Sequence, residues 1–184
     1  MGGSQLVLLD YIVNISIFSL LVSTPLVTLG KPQAVQLNLI NIREIIENTL
    51  ELLPPQALMN NIQFKLTFEE SQFVITGERN QLKQVFQNIL KNAIKAMPQG
   101  GDIQINLREG LPDECIISVQ DLGCGIPEEL LPGLGEPFYS LKERGTGLGI
   151  MICHKILKQH HGRITYKSKL KEGTIVEIKL PLAS

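Results

Sequence analysis

The sequence predicts an α/β domain. Three stretches with helical periodicity, over residues 41–53, 81–97 and 148–161, are interleaved with stretches that alternate apolar and polar residues as half-buried strands do. Proline and glycine clusters separate them at Pro54-Pro55, Pro98-Gln99-Gly100-Gly101 and Lys171-Glu172-Gly173. This domain is expected over residues 33–184, preceded by a helical stub and linker over residues 1–32.

A chain of 184 residues accommodates one domain with a full core and a short appendage. With a formal charge of −1 and scattered Lys and Arg, it carries no electrostatic footprint for nucleic acid. Cys115, Cys124 and Cys153 have neither an even count nor metal-ligand spacing, which excludes a disulfide framework and a zinc site and points to reduced thiols in a cytosolic compartment.

Residues 1–5 read as an appended leader without the basic segment of a secretory signal. Residues 11–30 contain no charged side chain. At 1.5 Å per residue a helix of that length crosses a hydrocarbon core of about 30 Å, whereas Asn14, Ser16, Pro25 and the missing Lys/Arg cluster argue against a span. Two readings stay open: a membrane-associated segment, or a helix buried against a partner or left from a helical hairpin. Gly30-Lys31-Pro32 ends it and serves as the linker.

The first core helix starts at Asn41, an N-cap with Glu44 three residues on, and keeps its apolar stripe to Leu53. Ile62, Phe64, Leu66 and Phe68 then alternate as a strand, and residues 73–76 form a second, expected to pair with the first as a hairpin. The helix over residues 81–97 buries Leu82, Val85, Phe86, Ile89, Leu90, Ala93, Ile94 and Met97 on one broad side. Asn88, Asn92 and Lys95 line up beside that face. A carboxamide oxygen is a hard ligand for Mg²⁺ and an ammonium is a point charge for phosphate, so the stripe suits a metal-bound polyphosphate. Taken alone, it equally describes a solvated helix edge.

Strands follow over residues 103–107 and 114–120, the second running into Asp121-Leu122-Gly123-Cys124-Gly125. A carboxylate at a strand end can accept from an exocyclic amine, and flanking glycines let a flat base approach the backbone. Residues 122–147 hold six glycines and three prolines, a connection of the length usual for a lid. Gly145-Thr146-Gly147-Leu148-Gly149 opens the next helix, where free N–H groups make an anion site, and Gly162 is expected as its left-handed C-terminal residue. Two strands over residues 164–167 and 174–180 complete the chain.

Each glycine motif is weak singly. In order, an Asn-bearing helix, DxGxG, a Phe-containing lid, GxGxG opening a helix and Gly173-Thr174 between strands resemble the ATP-binding catalytic domain of bacterial sensor histidine kinases, in the superfamily shared with gyrase B. Residues 34–53 and the EPFYSLKERGTGLG lid are similar to those of sporulation-type kinases. The resemblance spans residues 41–181 and implies a two-layer α/β sandwich, with a mixed, mostly antiparallel sheet covered on one face by three helices. It also implies site residues: Asn88, Lys91, Asn92 and Lys95 on the helix, with Asn92 as the Mg²⁺ ligand; Asp121 on the adenine amine with Gly123 and Gly125 beside it; Phe138, Lys142 and Arg144 in the lid; Gly145, Thr146, Gly147, Leu148 and Gly149 at the phosphates; and Thr174 reaching adenine through water.

ATPases and serine kinases of that superfamily carry Glu one turn before the metal-binding Asn, as general base. Here the position holds Asn88, and an amide takes no proton from water or serine. A neutral imidazole needs no base, which favours histidine as acceptor, with Asn88, Lys95 and Arg144 stabilising the transferred group. The resemblance further implies a homodimerising hairpin bearing that histidine, and a response regulator downstream. The acceptor pattern H-E/D-x-x-[NR/T]-P is missing, and His154, His160 and His161 all follow the second glycine motif. The expectation is a cytoplasmic catalytic domain needing its acceptor in trans; a nucleotide-binding scaffold without transfer, or an ATPase or serine kinase, are the alternatives.

Overall fold

The computed structural model describes residues 37–110, 112–136 and 148–183. The expectations for the N-terminal stub and most of the lid fall outside them.

Among the described residues, seven strands, β1 (Asn38–Asn41), β2 (Ile62–Phe68), β3 (Val74–Gly77), β4 (Gly101–Glu109), β5 (Glu114–Asp121), β6 (Arg163–Lys169) and β7 (Gly173–Pro181), accompany four α-helices, α1 (Ile42–Leu50), α2 (Pro54–Met59), α3 (Arg79–Ala96) and α4 (Leu148–Gln159). A 3-10 segment, Glu128–Gly133, interrupts the loop after β5. The main sheet has the order β2-β4-β5-β7-β6, with β2 and β4 parallel and the other pairs antiparallel. Its covered face supplies Ile103, Ile105, Leu107, Cys115, Ile117, Val119, Ile178 and Leu180 to one core shared with the helices.

The central helix α3 forms where the sequence expects it because its apolar positions recur at 3.6-residue spacing. Leu82, Val85, Phe86, Leu90 and Ile94 are all at most 2% exposed, and each fully buried side chain of this size contributes about 1.5–3 kcal/mol. Glu78 begins the helix, its carboxylate accepting from the N–H groups of Asn80 at 2.9 Å and Gln81 at 2.8 Å. Asn41 caps α1 by accepting from Arg43 N–H at 2.9 Å. Glu44 does not reach back to complete a capping box; it reaches Arg79 at 3.2 Å, tying α1 to α3.

One expectation fails and another is incomplete. The hairpin of residues 62–68 with 73–76 does not form: β2 pairs parallel with β4, which requires a crossover, and α3 lies within it. β3 instead pairs antiparallel with β1 in a separate two-stranded sheet. Four residues are too few for β1 to show a period, and its partner lies far along the chain. Pro54-Pro55 also does more than stop α1, since both prolines occupy the first turn of α2, where no helical N–H donor is needed.

The end of α4 corrects a third expectation. His161, not Gly162, takes the left-handed conformation, with φ 56°. Its N–H donates to Lys158 O at 3.2 Å and that of Gly162 to Leu157 O at 2.8 Å. Gly162 is required by proximity, because a Cβ there would lie 2.6 Å from Leu180 Cδ2. The preceding His160 is buried, with Nδ1 2.8 Å from Ile156 O and Nε2 accepting from Glu78 N–H at 2.9 Å. The imidazole thus joins the end of α4 to the start of α3. His160→Ala, which leaves that N–H without a partner, is expected to lower unfolding free energy by about 1–3 kcal/mol in urea titration; an unchanged midpoint would show the link to be idle.

Candidate functional site

Behind the polar stripe of α3 lies the core; in front of it, Asn92 and Lys95 are exposed and Lys91 is half-buried. Asn88 is half-buried and donates from Nδ2 to Gly149 O at 3.3 Å, which holds the first turn of α4 against α3. Cys153, one turn further along α4, packs its thiol toward Val85 O at 3.8 Å, and burial pushes its pKa up to about 11, so it stays a neutral thiol.

Asp121 ends β5 and is 5% exposed. Its Oδ1 accepts from Gly123 N–H at 2.9 Å. Burial raises its pKa above the ordinary carboxylate value, opposed by the N–H groups of Gly123 and Thr174. In register it faces Thr174 on β7, which in turn faces Ser168 on β6. Side chains opposite each other on neighbouring strands share a face, so Asp121, Thr174 and Ser168 make one row across three strands.

Three glycines set this corner by close packing. A Cβ on Gly123 would lie 2.6 Å from Ala96 O, so its bareness lets the loop pack on the last turn of α3, where Cys124 N–H donates to Ala96 O at 3.0 Å. Gly125 has φ +67° and would drive a Cβ into Lys169 O. Gly173 has φ +104° and would drive one into Asp121 O. All three permit backbone to meet backbone, which places Asp121 beside the end of the Asn-bearing helix.

Asn88, Gly149 and the row ending in Asp121 are therefore brought together around α3, with Asn92 between its two tethers at Asn88 and Ala96. Leu148 and Gly149 are half-buried in the first turn of α4. A Cβ on Gly149 would come no nearer than 3.7 Å to Asn88 Cγ, so packing does not demand glycine there. Phe138, Lys142, Arg144, Gly145, Thr146 and Gly147 lie outside the described residues. His154 stacks on Tyr166 with ring centroids 5.8 Å apart and its Nε2 3.2 Å from the phenol oxygen; burial lowers its pKa, with Glu136 opposing. Contacts of this kind occupy His154 within the fold.

Ser168 and Ala96 escaped sequence reasoning, since a serine in an alternating strand carries no motif and Ala96 acts through its carbonyl. A cleft of about 530 Å³ opens between the 3-10 segment and β6, lined by residues including Pro127, Glu128 and Tyr166. None of the expected site residues lines it. Among the described residues no three His, Cys, Asp or Glu side chains gather as a metal cage. The carboxamides of α3 offer hard oxygen ligands, a donor set that fits Mg²⁺ held chiefly by phosphate oxygens.

Residues 77–184 match the family described as "Histidine kinase-, DNA gyrase B-, and HSP90-like ATPase". The chain belongs to this ATPase family. Sporulation kinase E of Bacillus subtilis (strain 168) is 44% identical over 159 residues, covering 86% of this chain and 22% of that protein. Sporulation kinase C of the same strain is 43% identical over 165 residues, covering 89% of this chain and 38% of that protein. The chain thus spans well under half the length of these curated relatives. Among solved structures, the catalytic domain of histidine kinase ThkA in a nucleotide-free form superposes with TM-score 0.71 at 31% identity, covering 79% of this chain and 95% of that one. The mycobacterial sensor histidine kinase MprB gives TM-score 0.72 at 25% identity, covering 79% and 97%. The mixed, mostly antiparallel sheet with its helical layer is the fold of these catalytic domains. No helix among the described residues is long and apolar enough to cross a membrane.

Proposed function

We propose that this chain is the ATP-binding catalytic domain of a two-component histidine kinase, transferring the γ-phosphoryl group to a histidine on a separate dimerisation hairpin. The observation that carries the reading is the buried Asp121–Thr174 pair at the strand end, locked against the helix that bears Asn88, Asn92 and Lys95. Family membership and the kinase relatives support it.

Asp121 accepts from the adenine amine, with Gly123 and Gly125 shaping the loop beneath the base and Thr174 reaching it through water. Asn92 supplies the protein's ligand to Mg²⁺, which when bound neutralises charge on the transferring phosphoryl group. Lys91 and Lys95 are the cations that α3 brings to the phosphates, and Lys142, Arg144 and Phe138 are the lid residues assigned to the site. The segment from Gly145 to Gly149, with Thr146, Gly147 and Leu148, presents N–H groups to the phosphate chain. Asn88 donates from Nδ2 to Gly149 O, and its amide oxygen is too weakly basic to activate water or a serine hydroxyl. An imidazole nitrogen attacks phosphorus directly, the bond to the ADP oxygen breaks, and the imidazole proton leaves to solvent. The full-length protein acts as a homodimer at the cytoplasmic side and passes the phosphoryl group to a response regulator.

Nucleotide titration with and without Mg²⁺, followed by mixing with a histidine hairpin, tests this. Phosphohistidine should form, and Asn92→Ala should abolish the Mg²⁺ dependence of ATP affinity and lower transfer by about 10²-fold or more. ATP binding without phosphohistidine would favour a scaffold, and steady phosphate release without acceptor an ATPase.

A further inference from the structure

The row Asp121–Thr174–Ser168 contains a hydroxyl whose three hydrogen bonds are all accounted for. Ser168 Oγ lies 2.8 Å from Gly173 O, 2.8 Å from Ile126 N and 2.8 Å from Thr174 Oγ1. A serine hydroxyl has one proton to donate and two lone pairs to accept with. The carbonyl of Gly173 can only accept, so the Ser168 proton goes there. Ile126 N–H can only donate, so it fills one lone pair. The remaining contact must therefore be donated by Thr174, whose single proton is spent sideways on Ser168.

We infer that Ser168 is a specificity-determining positioning residue: by fixing the direction of the Thr174 hydroxyl, it makes the floor beside Asp121 accept hydrogen bonds only, selecting 6-amino over 6-oxo purine nucleotides. With its proton committed, Thr174 Oγ1 offers lone pairs alone to the water that bridges it to the base, and that water, donating one proton to Thr174 and the other to the neighbouring carboxylate, has only lone pairs left for the ligand. An exocyclic amine meets this floor with protons. A carbonyl at the same ring position meets it with lone pairs, and buried acceptor against acceptor is penalised beyond the loss of one bond. Without Ser168, the Thr174 hydroxyl is free to rotate and donate.

This inference rests on the proposed ATP site. The test is calorimetric titration of the chain, with Mg²⁺, against ATP, purine riboside triphosphate, which bears only hydrogen at the ring position, and inosine triphosphate, which bears the carbonyl. Wild type should bind them in that order of falling affinity. Ser168→Ala should narrow the ATP-to-inosine ratio about tenfold, the worth of one hydrogen bond, through tighter inosine binding, a gain that a merely loosened loop does not produce. Ser168→Thr, which keeps the hydroxyl, should restore the wild-type ratio. An unchanged ratio in Ser168→Ala with ATP still bound overturns the inference and leaves the proposed function standing. Wild type that binds inosine triphosphate as well as the purine riboside also overturns it. Should Ser168→Ala fail to give a cooperative melt, Thr174→Val decides, since removing the oriented hydroxyl should narrow the ratio by a similar factor and an unchanged ratio overturns the inference. Wild type that binds none of the three overturns the proposed function itself, and the inference with it.

Discussion

Asp121→Asn is expected to raise the melting temperature of the nucleotide-free protein at neutral pH while removing most of its affinity for ATP. The carboxylate is buried at the end of β5, and that burial lifts its pKa above the ordinary value. A group whose folded pKa exceeds its unfolded pKa stabilises the fold in its protonated form, and the contribution is lost as pH rises through the folded value. Above the folded pKa the wild-type protein therefore carries a buried charge that the amide lacks. Asn keeps the oxygen that accepts from Gly123 N–H at 2.9 Å, so the loop has no reason to move. In the bound state the charge-assisted bond to the adenine amine is gone, which weakens binding by about 1.5–3 kcal/mol, roughly tenfold to over a hundredfold. Melting curves between pH 4 and 7 provide the check: wild type should gain stability relative to the variant as pH falls. A variant that melts lower than wild type at pH 7, or binds ATP equally well, removes Asp121 from the role assigned to it.

Gly173→Ala is expected to have the largest effect on stability of the substitutions considered, on the order of 3–5 kcal/mol. Its φ of +104° lies where side chains with Cβ are strained, and the added methyl would run into Asp121 O and stand 2.8 Å from Leu122 Cα. These are backbone atoms of the neighbouring strand, which cannot swing aside as a flexible side chain could. Relief requires β7 to part from β5 at the Asp121–Thr174 pair, so ATP binding should fall along with the urea midpoint. Gly149→Ala supplies the contrast. That residue sits in the first turn of α4 with ordinary contacts only, and alanine in a helix is favoured over glycine by about 0.5–1 kcal/mol. It should stabilise the free protein, and weaken ATP binding if the bare backbone serves the phosphates. Equal stability losses in the two variants would show that the geometry at Gly173 does not govern the corner.

Much of the site was legible because its elements are local. The Asn stripe follows from helical spacing within one segment, and Asp121 from a strand that runs straight into a glycine turn. What those glycines pack against was not legible. Gly123 makes room for Ala96 and Gly125 for Lys169, neighbours in space that no pattern along the chain reveals. The same limit hid Ser168, whose partners Ile126 and Thr174 meet it only once β6 lies on β7. It also produced the mistaken hairpin of β2 with β3, since adjacency in sequence says nothing about the parallel crossover that brings β4 alongside β2.

Period and turn chemistry were enough to establish an α/β domain, its main helices and most of its strands, and to single out the residues now proposed to hold a nucleotide, because a chain's nearest neighbours dictate those features. Strand order, the left-handed turn at His161 rather than Gly162, and the meeting of the Thr174 and Ser168 hydroxyls were decided by packing. Those features depend on backbone and hydroxyl groups that must all find partners at once in a closed core, a condition met only when distant segments are in contact.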